Sequence, residues 1–148
     1  MSGRAALVHM LCQQLGRHRP RFLTERETVN VIRRLIKHAV PSERGCCLWG
    51  GAVTTDGYGR MNVWLNGRGR FQISVHRLVY QLAHDPRDIP FYREVAHDCD
   101  TPPCFHPGHV KSQRRPDNRR RSAENTNRKK ALRRSFAETS AGPLREAA

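Results

Sequence analysis

The sequence predicts an α+β chain, and three observations carry that prediction. A helical-period segment with a capping pattern at its start fills residues 24–40. The period then changes to alternation around an Asn66-Gly67 turn. A loop rich in Cys and His follows, and after it, from Pro116, comes a strongly basic helical segment.

The elements can be justified in chain order. Ala5, Leu7, Val8, Leu11 and Leu15 form an imperfect apolar stripe that breaks near Pro20. Thr24-Glu25-Arg26-Glu27 has the form of a capping box, in which the Thr hydroxyl and the Glu carboxylate each satisfy a backbone N–H at the helix start. Val29, Ile32, Leu35 and Ile36 then predict one buried face, ending at Pro41, with Arg33, Arg34 and Lys37 on a solvated outer face. Beyond Tyr58, Met61, Val63 and Leu65 alternate with Arg60, Asn62 and Trp64, and Phe71, Ile73 and Val75 alternate with Arg70, Gln72 and Ser74. This predicts a hairpin with one apolar face and one polar face bearing Arg60, Asn62, Arg70 and Gln72. A two-stranded ribbon of that chemistry fits the DNA major groove, where Arg, Asn and Gln pair with base edges. A short amphipathic helix is expected at 76–83, with Leu78, Val79 and Leu82 inward. Residues 114–130 are dense in Lys and Arg and lack an apolar stripe, and from 131 the pattern fades.

Composition narrows the partners. Lys and Arg total 27 against 13 Asp and Glu, a net charge of +14. Most of the excess is Arg, whose planar fork pairs bidentately with phosphate, so a nucleic acid is the expected partner. No apolar run approaches the roughly 20 residues of a membrane span, and the start is too weakly apolar for a secretory signal. An intracellular protein is therefore expected, nuclear in a eukaryotic host and otherwise cytoplasmic or nucleoid-associated. Thiols stay reduced there, so grouped cysteines point to metal ligation rather than disulfides.

The chemistry concentrates in the run from His97 to His109, His97-Asp98-Cys99-Asp100-Thr101-Pro102-Pro103-Cys104-Phe105-His106-Pro107-Gly108-His109, with Asn118 beyond it. Cys99, Cys104 and His109 supply three of the four soft donors that a structural zinc takes in tetrahedral array. Cys46 is the best candidate for the fourth, and the adjacent Cys47 competes with it.

The pattern H-x-C-x4-C-x4-H-x8-N resembles that of the His-Cys box homing endonucleases and the related HNH nucleases. The likeness covers about residues 45–120. It includes the G-C-x-x-W-x-G-A stretch at 45–52, Tyr58-Gly59, and N-G-x-x-R-[aromatic]-Q at 66–72. It implies a ββα-metal (His-Me finger) nuclease domain with strands near 95–97 and 109–111 and a helix carrying Asn118. It implies a DNA endonuclease of homing type, with His97 as the general base and Asn118 holding a catalytic Mg2+. Arg70 would support the scissile phosphate, Gln72 would read a base, and Cys46, Cys99, Cys104 and His109 would bind a structural Zn2+. His106 departs from the pattern, standing where these families usually carry Asn. The remaining His76, His84, His38, His18 and His9 belong to no constellation and are expected to be structural or exposed.

The expected organisation is an N-terminal helical segment at 1–44, a nuclease-like domain at 45–130 and a flexible tail at 131–148. The partner is double-stranded DNA. Cutting both strands of a palindrome calls for a homodimer, whereas nicking suits a monomer. The alternative reading is a zinc-containing DNA-binding protein that does not cleave.

Overall fold

The computed structural model describes residues 3–140, with side chains described to residue 134. It is α+β, with four α-helices and small two-stranded sheets among the described residues. The chain divides after Gln113 into two compact units. No helix among the described residues is long and apolar enough to cross a membrane.

In the first unit, α1 (Gly3–Gln14) and the turn after it bury Leu11 and Leu15 completely. The α2 helix (Glu25–Lys37) begins at the capping box: Glu27 N–H donates to Thr24 Oγ1 at 3.2 Å and Thr24 N–H donates to Glu27 Oε2 at 2.7 Å. Its buried face is Thr28, Val31 and Leu35, with Ile32 and Ile36 flanking. Val29, expected inward, is 43% exposed. The stripe that matters is i, i+3, i+7 from Thr28, and Val29 falls one helical step (about 100°) off it. Thr28 is polar and gives no hydropathy signal; its hydroxyl donates to the Thr24 carbonyl at 2.8 Å, so it is buried with its hydrogen bond made.

Strands β1 (Ala39–Pro41) and β2 (Cys47–Trp49) form a short antiparallel hairpin. Gly45 supplies the positive φ, 75°, that turns the chain just before Cys46. Trp49 is buried and donates its indole N–H to the Ala52 carbonyl at 3.0 Å. A Cβ at Gly51 would sit 2.6 Å from the indole ring, and one at Gly59 would sit 3.0 Å from it. Gly51 and Gly59 therefore serve close packing on Trp49.

The predicted hairpin forms as β3 (Arg60–Leu65) and β4 (Gly69–Ser74), with Asn62 opposite Gln72 and Trp64 opposite Arg70. Met61, Val63 and Leu65 are buried, and Arg60, Asn62 and Trp64 face out. On β4 the expected alternation fails: Phe71 is 44% exposed and Ile73 only half-buried. The α2 side chains reach β3 and the turn, leaving the outer strand thinly covered. Val75 is not a strand residue but the first, buried residue of α3 (Val75–Ala83), which also buries Leu78, Val79 and Leu82. Burying an aliphatic side chain of this size contributes about 1.5–3 kcal/mol, and these residues join Leu35, Met61, Phe105 and Val110 in one core.

β5 (Arg93–His97) pairs with β6 (Val110–Arg114) in a third two-stranded sheet. An ion pair between Asp98 and Lys111 closes its end. In the second unit, α4 (Arg115–Ser140) starts one residue before Pro116 and carries no buried residue among its described side chains. Helix continues through 131–140, the first part of the expected tail. Residues 141–148 of that tail lie outside the described residues.

Candidate metal centre and histidine site

Cys104 is placed by the backbone. The segment 103–105 runs beside β2: Trp49 N–H donates to the Pro103 carbonyl at 2.8 Å and Phe105 N–H donates to the Cys47 carbonyl at 2.8 Å. A strand's side chains alternate between its faces. Cys46 and Cys47 therefore diverge, one toward Cys104 and the other into the core.

The sulfur atoms of Cys46, Cys99 and Cys104 and a ring nitrogen of His109 all lie within 4.8 Å of one another. Tetrahedral zinc, with bonds of about 2.3 Å to sulfur and 2.0 Å to nitrogen, sets its donors roughly 3.4–3.8 Å apart. Cys104 Sγ and His109 Nδ1 are already 3.5 Å apart. Three thiols and one imidazole on two short loops fit such an ion, so this Cys3His cluster could hold a metal ion such as zinc. Cys47 is fully buried, and burial first, then the neighbouring Cys46, pushes its thiol up to about 12, as suits an apolar core residue. The choice between the two cysteines is thereby made for Cys46.

The loop that carries the donors is held by its own turns. Asp100 adopts a left-handed φ of 49°, which Asp tolerates better than most residues, and Thr101 Oγ1 donates to the Cys99 carbonyl at 3.1 Å. His106 caps the short 3-10 turn Pro107–His109: its Nδ1 accepts from Gly108 N–H at 3.0 Å. The capping acceptor that an Asn side chain offers through its amide oxygen is here a ring nitrogen. Burial, followed by the neighbouring His109, lowers the His106 pKa, which keeps that nitrogen an acceptor. His84 anchors the same turn from α3, donating through Nε2 to the Pro107 carbonyl at 2.7 Å.

His97 ends β5 and is buried. Its Nε2 lies 2.7 Å from the Cys104 carbonyl. A carbonyl only accepts, so the hydrogen bond fixes the proton on Nε2 and leaves Nδ1 as the lone-pair side of the ring. Burial holds the His97 pKa below its ordinary value, with the bond to Cys104 opposing. His97 is not among the four converging donors.

Two further rings pack on His97: Tyr58 of the Tyr58-Gly59 pair, and His76, which falls in no sequence constellation. His76 packs against it with ring centroids 4.8 Å apart, and Tyr58 stacks on it at 5.8 Å. Ser74 Oγ lies 3.0 Å from His76 Nδ1, which ties the base of the hairpin to this ring cluster. Desolvation, then His97 and Arg77, drives the His76 pKa from 6.5 down to about 3. A lone His on an amphipathic helix gives no periodic signal; only the packing of α3 beside β5 identifies it.

The other predicted site residues divide. Arg60, Asn62, Arg70 and Gln72 are all exposed on the hairpin. Arg70 lies at the turn end, four residues along β4 from Ser74, or about 13 Å at ~3.3 Å per residue. Asn118 lies in the first turn of α4, in the second unit, and is half-buried. In comparisons with protein-family models, curated proteins and solved structures, the chain gives no match.

Proposed function

We propose that the chain is a metal-dependent DNA endonuclease of the ββα-metal kind, with a structural zinc on Cys46, Cys99, Cys104 and His109. The observation that carries this reading is the tie between His97 Nε2 and the carbonyl of Cys104. A residue of the metal-type loop orients an imbalanced imidazole, one nitrogen anchored and the other left to accept a proton, which is the arrangement a general base needs. In this reading His97 Nδ1 takes the proton of a water that attacks a phosphodiester. The chain order β5, donor loop, β6, α4 supports the ββα assignment, and Asn118 in the first turn of α4 is the residue assigned to Mg2+. Bound there, Mg2+ would supply Lewis-acid stabilisation of charge on the phosphate and the leaving oxygen. The exposed Arg60, Asn62 and Gln72 meet base edges in the major groove, and Arg70 adds a fixed cation for the DNA. The dense Lys and Arg of 114–130 meet phosphates.

The direct test is conversion of supercoiled plasmid to nicked or linear product. The expected result is cutting by the zinc-loaded wild type in Mg2+, none when Mg2+ is left out, and at least a tenfold loss in Asn118→Ala that extra Mg2+ partly restores. Plasmid bound but left intact by the wild type at every Mg2+ concentration would favour the non-cleaving zinc protein instead.

A further inference from the structure

Trp64 is the most exposed aromatic residue of the hairpin, at 72%, while the chain's other tryptophan, Trp49, is buried. It shares the outward face of β3 with Arg60 and Asn62 and stands opposite Arg70. It lines two clefts, of about 520 and 430 Å3. Both are walled by α2: Arg26, Glu27 and Asn30 line one, and Glu27, Asn30, Arg33 and Arg34 line the other. Arg26, Asn30 and Arg33 are exposed and recur at i, i+4, i+7, so they form one stripe along the helix.

The one acid among these residues is already engaged. Glu27 holds the α2 cap through Oε2 and accepts the Asn66 N–H of the hairpin turn through Oε1 at 2.7 Å. Arg34 donates to the Asn62 carbonyl at 2.5 Å, and Arg68 donates to the Phe22 carbonyl. These bonds fix the hairpin against α2, and Arg26 and Arg33 join Arg34 and Arg70 as the cations around Trp64. A large apolar ring set between guanidinium groups suits a polyanion that carries apolar spots, and the net charge of +14 favours such a partner. In the major groove the apolar spot is the thymine 5-methyl group.

We propose that Trp64 is a specificity-determining residue that contacts thymine methyl groups in the major groove, while Arg26 and Arg33 of α2 follow the phosphates along one wall of that groove. The inference rests on the DNA reading above. It also sets an order. The Arg60 and Ser74 rung adjoins the histidine cluster through Ser74 and His76, the Asn62 and Gln72 rung follows, and the Trp64 and Arg70 rung is outermost. The span of about 13 Å corresponds to roughly four base-pair steps, so the thymine lies farther from the cut than the pairs read by Asn62 and Gln72. On this ordering Arg70 serves the outer part of the site rather than the scissile phosphate.

The test is run with zinc-replete protein and no added Mg2+, so that binding is read without cleavage. Duplexes are selected from a randomised pool by wild type and by Trp64→Ala. The wild-type selection should show a thymine at an outer position that the Trp64→Ala selection lacks, with the inner positions unchanged. Replacing that thymine by deoxyuridine should weaken wild-type binding about five- to tenfold and leave Trp64→Ala binding unaffected. Bound duplex should also protect wild-type tryptophan fluorescence from acrylamide. The double variant R26Q/R33Q should bind all sequences more weakly, with a shallower salt dependence. Tryptophan that stays open to acrylamide in a complex seen by gel shift would overturn the inference and leave the DNA reading standing. Protection of Trp64 before any DNA is added would assign the face to a second copy of the chain and overturn it as well. Absence of any gel shift would remove both.

Discussion

The donor loop and the hairpin are built by opposite means. Residues 97–109 have little apolar content apart from Phe105, and they hold their shape through turns, through backbone bonds to β2 and through four converging donors. The hairpin has regular cross-strand pairing, a tight turn and a buried apolar face on β3, and its outer face presents mostly exposed side chains. The first region brings four donor atoms to one point; the second presents a row of exposed side chains on a regular frame. Loss of the metal should therefore damage the first region far more than the second, and loss of an outward hairpin residue should leave the fold unchanged.

The largest effect that sharpens this contrast is metal removal. A structural zinc in small domains contributes on the order of 10 kcal/mol or more, too much for this loop to replace. Elemental analysis should find one zinc per chain, and Cys46→Ser should lose it together with hydrogen-exchange protection in 95–112. Cys47→Ala should keep the zinc and cost only about 1 kcal/mol of packing. Zinc retained by Cys46→Ser and lost by Cys47→Ala would reverse the assignment of the two cysteines.

That pair shows where the sequence stops being legible. The hairpin could be read outright, because alternation and an Asn-Gly turn are local signals, and so could the α2 cap, because Thr24 and Glu27 satisfy each other three residues apart. Cys99, Cys104 and His109 were legible as donors from their spacing. Cys46 and Cys47 are neighbours in sequence, so spacing could not separate them; the separation comes from the pairing of β2 with 103–105, a contact more than fifty residues distant along the chain. His76 and His84 fall in no sequence constellation for the same reason, since their partners His97 and Pro107 are distant in the chain and meet them through the packing of α3. Val29 and Phe71 were misplaced because periodicity marks a face without saying how much of it is covered.

A smaller effect concerns pH. His76 is held uncharged by burial, with its pKa lowered from 6.5 to about 3. Between those values the unfolded chain binds the proton and the folded chain does not, so folding stability should fall as pH drops from about 6.5 toward 3. Above about 6.5 His76 contributes no pH dependence. Zinc release acts in the same direction, so the measurement is a difference: thermal melts of wild type and His76→Gln compared at pH 7 and pH 5, both metal-loaded. The gap between them should narrow at pH 5, because the variant lacks the group whose protonation penalises the fold. A gap of equal size at both pH values would mean that His76 is not desolvated as the packing indicates.

The central claim is that His97 is oriented by the donor loop without being part of it, and the most direct measurement is made on His97→Ala. The variant should fold, carry one zinc per chain and, with no Mg2+ added, bind duplex DNA as tightly as the wild type, because its partner is a carbonyl and its nitrogen is not one of the four donors. In Mg2+ its single-turnover cleavage rate should drop by a factor of about a hundred or more, the scale of losing a general base. Cleavage at the wild-type rate, or loss of the zinc along with the histidine, would contradict the account.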